Sequence, residues 1–545
     1  MSKRRSRPSQ SEDEWNSGNE AALSSNSDAD DWKPLSKTSR RSAKTRQITK
    51  KRKTEVETRE AAQTVAGTPD SVHSKSRHSI QTPEPLRSAL LGWFTTVRDA
   101  RGMPWRKPFD FSQGPEERSQ RAYEVWVSEI MLQQTQVVTV IPYYTRWMVT
   151  FPTLKDLARA NIDQVNALWK GLGYYSRASR LLEGAKKAVK DYGGRLPDNA
   201  KEMQENIPGI GRYSAGAICS IAYAERVAVL DGNVHRLLSR LLALHAPPKA
   251  KSTLNILWNA AEVMVRKDGT DEMHHPGDIN QALIELGSTV CKVREPSCGA
   301  CPLQPWCLAY KLARGDGFQS LPDIEDTCSI CEPISPGFDV TVFPMKSDRK
   351  KAREELDVVN VIEWRRDTRS QQRLFFLVRR PETGLLAGLY DFAASENIPK
   401  NLPEKLVKST SLGFLEKLFG HPAWKLVSVT SKTGSNCETR NTWVAEPTIV
   451  GDVSHIFSHV KKTYRVVWVL MTGGDKPPEP SGATVPDKPS CRADSELREE
   501  TQSPDSPLKW TWTPLNQVVD ATMGTGAMKV WSLARGFLEE EQTSL

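Results

Sequence analysis

The sequence predicts a multidomain protein: a long disordered tail, then an all-helical domain, then a C-terminal α+β domain. Three observations carry that expectation. Residues 1–85 are rich in Ser, Thr and charge and poor in large apolar side chains, a composition that cannot bury enough surface to offset the entropy of folding. From Leu86 to about Gly315 apolar residues recur every three or four positions, as in Tyr123-Glu-Val-Trp-Val-Ser-Glu-Ile-Met-Leu and Val165-Asn-Ala-Leu-Trp-Lys, which is the helical period. From Leu356 the pattern changes to short apolar runs, Asp357-Val-Val-Asn-Val-Ile-Glu-Trp, Arg373-Leu-Phe-Phe-Leu-Val and Tyr464-Arg-Val-Val-Trp-Val-Leu, which read as strands. A chain of 545 residues has room for two or three such units.

The tail holds 17 Lys or Arg against 12 Asp or Glu, so it carries much of the net charge of +9. Arg40-Arg41, then Lys50-Lys51-Arg52-Lys53, has the form of a two-part nuclear import signal. A solvated basic tail that touches nucleic acid nonspecifically would look similar. No apolar run approaches the ~18 residues of a membrane span, and Met1-Ser-Lys-Arg-Arg lacks the apolar core of a secretory signal. A soluble intracellular protein without a membrane partner is expected, in the nucleus. The Arg- and Ser-rich start leaves a mitochondrial destination open.

Within residues 86–315, Glu129 sits in an apolar helical run, Val127 to Thr135. A carboxylate so placed is either a buried ion-pair partner or an acid with a raised pKa. Ile207-Pro208-Gly209-Ile210-Gly211 precedes another helical run. Its two glycines permit a tight hairpin whose N–H groups approach a phosphate. The alternatives are a helix-hairpin-helix that grips the DNA backbone and an ordinary interhelix turn. Leu230-Asp231-Gly232-Asn233-Val234 places a second carboxylate in a turn, where a cap is the plain expectation. Together they fit glycosidic cleavage: a neutral acid in an apolar setting protonates the leaving base, and an anion in a polar one stabilises the cationic sugar. His235, just after that turn, is expected to be packed or solvent-facing.

Cys291, Cys298, Cys301 and Cys307 follow as C-x6-C-x2-C-x5-C within seventeen residues. With nine cysteines in the chain and no secretory signal, disulfides fit poorly. Structural zinc usually uses two separated C-x2-4-C pairs. One C-x2-C flanked by lone cysteines suits an iron–sulfur cubane better. The spacing favours the cluster and leaves zinc open.

Residues 86–310 resemble the catalytic domain of the endonuclease III superfamily, specifically adenine DNA glycosylases of the MutY type. The resemblance rests on Met103-Pro104-Trp105-Arg106, Val127 to Thr135, Gly171-Leu172-Gly173-Tyr174-Tyr175, the hairpin, Leu230 to Val234, Asn280 to Gly287 and the cysteine ladder, in that order. Met103 stands where the family often has leucine, a tolerable apolar exchange. The resemblance implies that Glu129 protonates adenine N7 and handles water, and that Asp231 stabilises or captures the oxocarbenium ion. Tyr213 and Asn233 would support that aspartate. Arg101 and Trp105 would lie near the extruded base, and Arg106 would contact DNA. Gln134 would fill the gap, Tyr174 would wedge beside the damaged guanine, and Gly209 and Gly211 would hold backbone phosphate. It also implies a 4Fe–4S cluster on the four cysteines. Lysine at position 213 would allow a Schiff base and strand cleavage; Tyr213 implies a monofunctional enzyme.

Residues 316–355 form a linker, in which Cys328-Ser-Ile-Cys331 stands out. The resemblance to animal relatives implies linker zinc, but only one cysteine pair is plain, so zinc and two unligated thiols both stay open. In residues 356–545, Arg380 to Phe392 resembles the start of a Nudix fold. The carboxylate-rich box that would hold magnesium does not follow, so pyrophosphatase activity is not expected. The resemblance implies instead a domain recognising 8-oxoguanine opposite adenine, with Phe457-Ser458-His459 as its lesion-reading loop. Serine there can both donate and accept. Residues 474–508, full of Pro, Ser, Asp and Glu, read as a disordered insertion.

The expected substrate is double-stranded DNA with adenine opposite 8-oxoguanine or G, handled by a monomer. Repair or replication proteins are conceivable partners through the linker and tails. The rival expectations are an endonuclease III-like lyase for oxidised pyrimidines and a noncatalytic DNA-binding scaffold. Tyr213 argues against the first, and the presence of both Glu129 and Asp231 against the second.

Overall fold

A computed structural model of the chain describes residues 73–267, 274–316, 323–347, 352–367, 370–381, 386–420, 424–427, 442–457, 460–480 and 509–543. The import signal, Ser458, His459 and most of the expected insertion lie outside these residues. The helical part comprises α1 (Pro83–Val97), α2 (Pro115–Leu132), α3 (Val137–Thr150), α4 (Leu154–Arg159), α5 (Ile162–Trp169), α6 (Ser176–Tyr192), α7 (Ala200–Asn206), α8 (Arg212–Ala222), α9 (Gly232–Leu241), α10 (Lys251–Val265), α11 (Pro276–Thr289) and α12 (Leu308–Ala313). The C-terminal part has β1 (Arg353–Arg365), β2 (Leu374–Arg379), β3 (Tyr390–Asp391), β4 (Ala393–Ser395), α13 (Glu404–Phe419), β5 (Trp424–Val427), β6 (Thr442–Ala445), β7 (Thr448–Ile456), β8 (Val460–Thr472), β9 (Trp510–Pro514) and α14 (Thr525–Thr543).

One correction concerns the tail. Residues 73–85, assigned to it by composition, include a 3-10 turn at Lys75–His78 and the start of α1. Two histidines of that segment, His73 and His78, are buried. Polar composition misled because buried histidines and the backbone bond from Cys328 N to the His73 carbonyl, rather than a long apolar run, hold the segment.

The chain divides into two compact units. One takes residues up to Glu129, Leu196–Asn206 and Ile210–Ser347; the other takes Ile130–Arg195, Ile207–Gly209 and Asp348–Leu545. In the first, Leu90, Phe94, Leu237, Leu241, Leu257, Met264, Ile279 and Leu283 bring α1, α9, α10 and α11 around one core. Gly287 on α11 lies against Asn233, where a Cβ would stand 2.7 Å from the Asn233 carbonyl oxygen. That close approach brings α11 to the start of α9.

The second unit combines α3–α6 with the sheet. Thr153 and Asn161 start α4 and α5 with reciprocal capping bonds to Asp156 and Gln164. The sheet order is β3-β2-β1-β8-β6-β5, with β4 on β1, β7 on β8 and β9 on β2. β1 and β8 run parallel from Arg353↔Val460 to Arg365↔Thr472. Alternation sends Val358 and Ile362 to the face covered by α13 and Val359 and Val361 to the face covered by α14. Within this unit Lys170 Nζ donates to the Val519 carbonyl (2.6 Å) and Arg379 pairs with Asp163 (2.9 Å). No described helix is long and apolar enough to cross a membrane.

Candidate active site

Glu129 lies near the end of α2 and Tyr213 in the first turn of α8. The Tyr213 hydroxyl donates to Glu129 Oε2 at 2.7 Å. Burial raises the Glu129 carboxyl to about 7, with a further push from the Asp231 charge, while the Tyr213 bond and the Arg106 charge pull it down. Burial and the two neighbouring carboxylates hold the Tyr213 phenol well above its usual range, so it stays a donor.

Asp231 is the N-cap of α9. Its Oδ1 accepts from Val234 N (2.7 Å) and its Oδ2 from Asn233 Nδ2 (2.8 Å). Burial raises its pKa, opposed by the bonds from Val234 and Asn233 and by the Arg236 charge. The two carboxyls therefore differ in kind. Glu129 has one neutral side-chain donor, whereas Asp231 sits on a helix N-terminus with several donors, a setting that favours the anion. The cap expected from sequence and the second carboxylate are one residue.

Arg101, expected near the base, and Arg106, expected to contact DNA, converge on Glu285 of α11. Arg106 Nη1 stands 2.8 Å and Arg101 Nη1 3.2 Å from Glu285 Oε2. Glu285 is 2% exposed, and sequence reasoning did not single it out. Its signal was available: a carboxylate in the apolar run Asn280 to Gly287, the same pattern as at Glu129. Trp105 is buried, and its carbonyl accepts from Arg121 Nη1. His235 is packed, with Nε2 3.2 Å from the Pro248 carbonyl and its pKa lowered by burial.

Elsewhere on the chain, Gln134 and Tyr174 both adopt positive φ (55° and 47°), and Tyr174 is 47% exposed. Gly209 has φ 81°, and a Cβ there would stand 2.7 Å from Arg180 Cβ; Gly211 is the N-cap of α8. Phe457 N donates to the Val460 carbonyl (2.8 Å); Ser458 and His459 lie outside the described residues.

Two sets of metal-ligating side chains stand out. Cys291, Cys298, Cys301 and Cys307 are free and partly buried. Their sulfurs are mutual electrostatic neighbours. Arg240 Nη1 donates to Cys291 Sγ at 3.3 Å, a cation placed for an anionic sulfur. Arg236 on the same helix reaches Asn233 Oδ1 (2.9 Å) and the Cys291 carbonyl (2.9 Å). A bonded path therefore runs from Asp231 to the cysteine loop. The second set is His73, His78, Cys328 and Cys331, whose ligand atoms all lie within 4.8 Å of one another. The third and fourth partners that the sequence did not reveal are two histidines about 250 positions earlier. His78 Nδ1 lies 2.9 Å from the Leu242 carbonyl; as the donor there, it leaves the Nε2 lone pair facing the sulfurs. Backbone bonding between His73 and Cys328 ties the two segments together. Two thiols and two imidazoles in such a knot match a tetrahedral zinc donor set.

Comparison with known proteins decides the family. Residues 127–262 match the model of the HhH-GPD superfamily base excision DNA repair proteins. The chain is 40% identical to mouse adenine DNA glycosylase over 412 residues, covering 73% of each chain. It is 39% identical to the human adenine DNA glycosylase over 405 residues, covering 71% of this chain and 67% of the human one. The chain belongs to the adenine DNA glycosylases. Among solved structures, a thermostable thymine-DNA glycosylase is similar at 26% identity and a TM-score of 0.35, over 42% of this chain and 97% of that one. The enzyme is thus a hydrolase of N-glycosyl bonds in base excision repair, and the Glu129–Asp231 geometry is to be read in that light.

Proposed function

We propose that the enzyme excises adenine paired with 8-oxoguanine, and also adenine opposite G, as a monofunctional glycosylase. The single observation that carries the chemistry is the Glu129–Tyr213 pair beside Asp231. A carboxyl with a pKa of about 7 is substantially protonated at neutral pH and can deliver its proton to adenine N7. Departure of the neutral base leaves positive charge on the sugar, and Asp231, held by Val234 and Asn233, stabilises it. Glu129, now ionised, then accepts a proton from the incoming water. Tyr213 offers no amine for a Schiff base, so an intact strand with an abasic site remains. Arg101, held by Glu285, would lie near the extruded base. Extrusion costs least at a mispair, which adds selectivity.

The C-terminal Nudix-like domain is assigned to 8-oxoguanine recognition through Phe457, Ser458 and His459, and the hairpin glycines to backbone phosphate. The four-cysteine loop would hold a 4Fe–4S cluster, and the Arg240 contact to Cys291 fits it. That cluster would brace the loop carrying Lys292 and Arg294; excision itself is hydrolytic. The His73–His78–Cys328–Cys331 group would hold zinc, tying the segment before α1 to the linker. The import signal in the tail would direct the enzyme to the nucleus.

Incubation with duplexes carrying adenine opposite 8-oxoguanine, followed by alkali, tests the proposal. Cleavage at the adenine only after alkali is expected. No cleavage overturns the substrate assignment, and cleavage without alkali, with a borohydride-trapped adduct, overturns monofunctionality.

A further inference from the structure

Arg177, near the start of α6, is a buried cation whose role the reaction does not explain. Its side chain makes five hydrogen bonds, all to backbone carbonyls. Nη1 donates to Ile130 (2.8 Å), Met131 (3.1 Å) and Gln133 (2.6 Å). Nη2 donates to Leu172 (3.2 Å) and Gly173 (3.1 Å). One tine of the fork thus serves the segment that ends in Gln134, and the other serves the turn that ends in Tyr174. The first two carbonyls belong to the last turn of α2, where intrahelical partners run out, and a cation there also complements the helix dipole. The guanidinium lies 5.5 Å from the Tyr174 ring centroid and 5.3 Å from that of Trp169. Trp169 Nε1 in turn donates to the Gly173 carbonyl (3.0 Å).

We propose that Arg177 is a positioning residue that locks Gln134 and Tyr174 into a fixed mutual register, so that both enter the base stack together during adenine extrusion. The proposal rests on the reading of those two residues as gap-filler and wedge, given above. Both residues have left-handed backbone and stand next to carbonyls that Arg177 holds. A left-handed non-glycine residue persists only where surrounding bonds over-determine it. The planar, rigid fork can serve two loops at once. A lysine ammonium is a single point with three donors and can satisfy one loop only. Burial lowers the Arg177 pKa to about 10, so the cation is retained at working pH.

The test uses the full-length protein and a duplex in which the target is 2′-fluoro-2′-deoxyadenosine, which resists excision, opposite 8-oxoguanine. A 2-aminopurine beside the target reports unstacking by fluorescence. Arg177→Lys and Arg177→Met are compared with Gln134→Ala, Tyr174→Ala and wild type. Affinity for a duplex already carrying an abasic site, where there is no base to extrude, is measured in parallel, as is the thermal midpoint. Loss of a charge-assisted bond corresponds to about a tenfold change. Arg177→Lys is therefore expected to lower the extrusion equilibrium about tenfold, with abasic-site affinity within about threefold of wild type.

Wild-type extrusion by Arg177→Lys overturns the proposal. So does an equal loss of extrusion and abasic-site affinity, which marks a purely structural role. If Gln134→Ala and Tyr174→Ala extrude normally, the wedge reading itself fails and the proposal falls with it. Should Arg177→Met not fold, the lysine variant decides alone.

Discussion

Replacing Tyr213 by phenylalanine removes one hydroxyl, and with it the 2.7 Å bond to Glu129 Oε2. The bond to the ionised carboxylate is worth about 1.5–3 kcal/mol, against about 1 kcal/mol for one to the neutral acid. The difference, about 0.5–2 kcal/mol, brackets the ~1.4 kcal/mol of one pH unit. The sign follows from which form the bond favours. Tyr213 lowers the Glu129 pKa, so its loss raises it. On the proposed mechanism excision needs protonated Glu129, so the rate is expected to fall as pH rises through about 7 in the wild-type enzyme. In Tyr213→Phe the basic limb of the single-turnover rate profile should move to higher pH by about one unit. The assay is excision of adenine opposite 8-oxoguanine under single-turnover conditions across that limb. An unmoved limb, or one shifted to lower pH, would refute the assignment of Glu129 as the titrating acid.

Further outcomes follow from the same geometry. Glu129→Gln should abolish excision while leaving DNA affinity largely intact; parallel loss of both would mark Glu129 as a structural residue. Asp231→Asn keeps an effective cap on α9, so its thermal midpoint should barely change while excision drops ~10²–10³-fold. A large fall in stability with little kinetic effect would reverse that assignment. His78→Ala should lose bound zinc, measured by metal analysis, with iron content unchanged, and zinc retained at the wild-type ratio would refute the proposed ligand set. Cys298→Ala should lower iron content and DNA binding before it lowers the chemical rate on bound substrate.

The carboxylates were legible because each sits in a local context that contradicts its neighbours: Glu129 among apolar residues, Asp231 in a turn with Gly232 and Asn233. Glu285 carried the same signal but was absorbed into a helical pattern, and only its two arginines made it visible. Of the strands, β1, β2 and β8 fall on the three apolar runs, since β1 and β8 pack on both faces and α13 and α14 each cover one; the shorter β3, β4, β5, β6 and β9, and the edge strand β7, carried no such run. His73 and His78 were not legible. Their partners lie far along the chain, and spacing rules describe only ligands that are near in sequence. Arg177 leaves no sequence signal at all, because its five partners are carbonyls, which every residue possesses.

Gln134 and Tyr174 have a consequence for how this enzyme can change over time. Each occupies a backbone region that glycine enters freely and that costs other residues of order 1 kcal/mol. Mutation toward glycine at either site would thus make the folded state easier to reach while removing the side chain proposed to displace a base. Selection for stability and selection for repair pull these two positions in opposite directions. A screen for thermal tolerance alone should therefore recover glycine there, in proteins that fold better and repair worse.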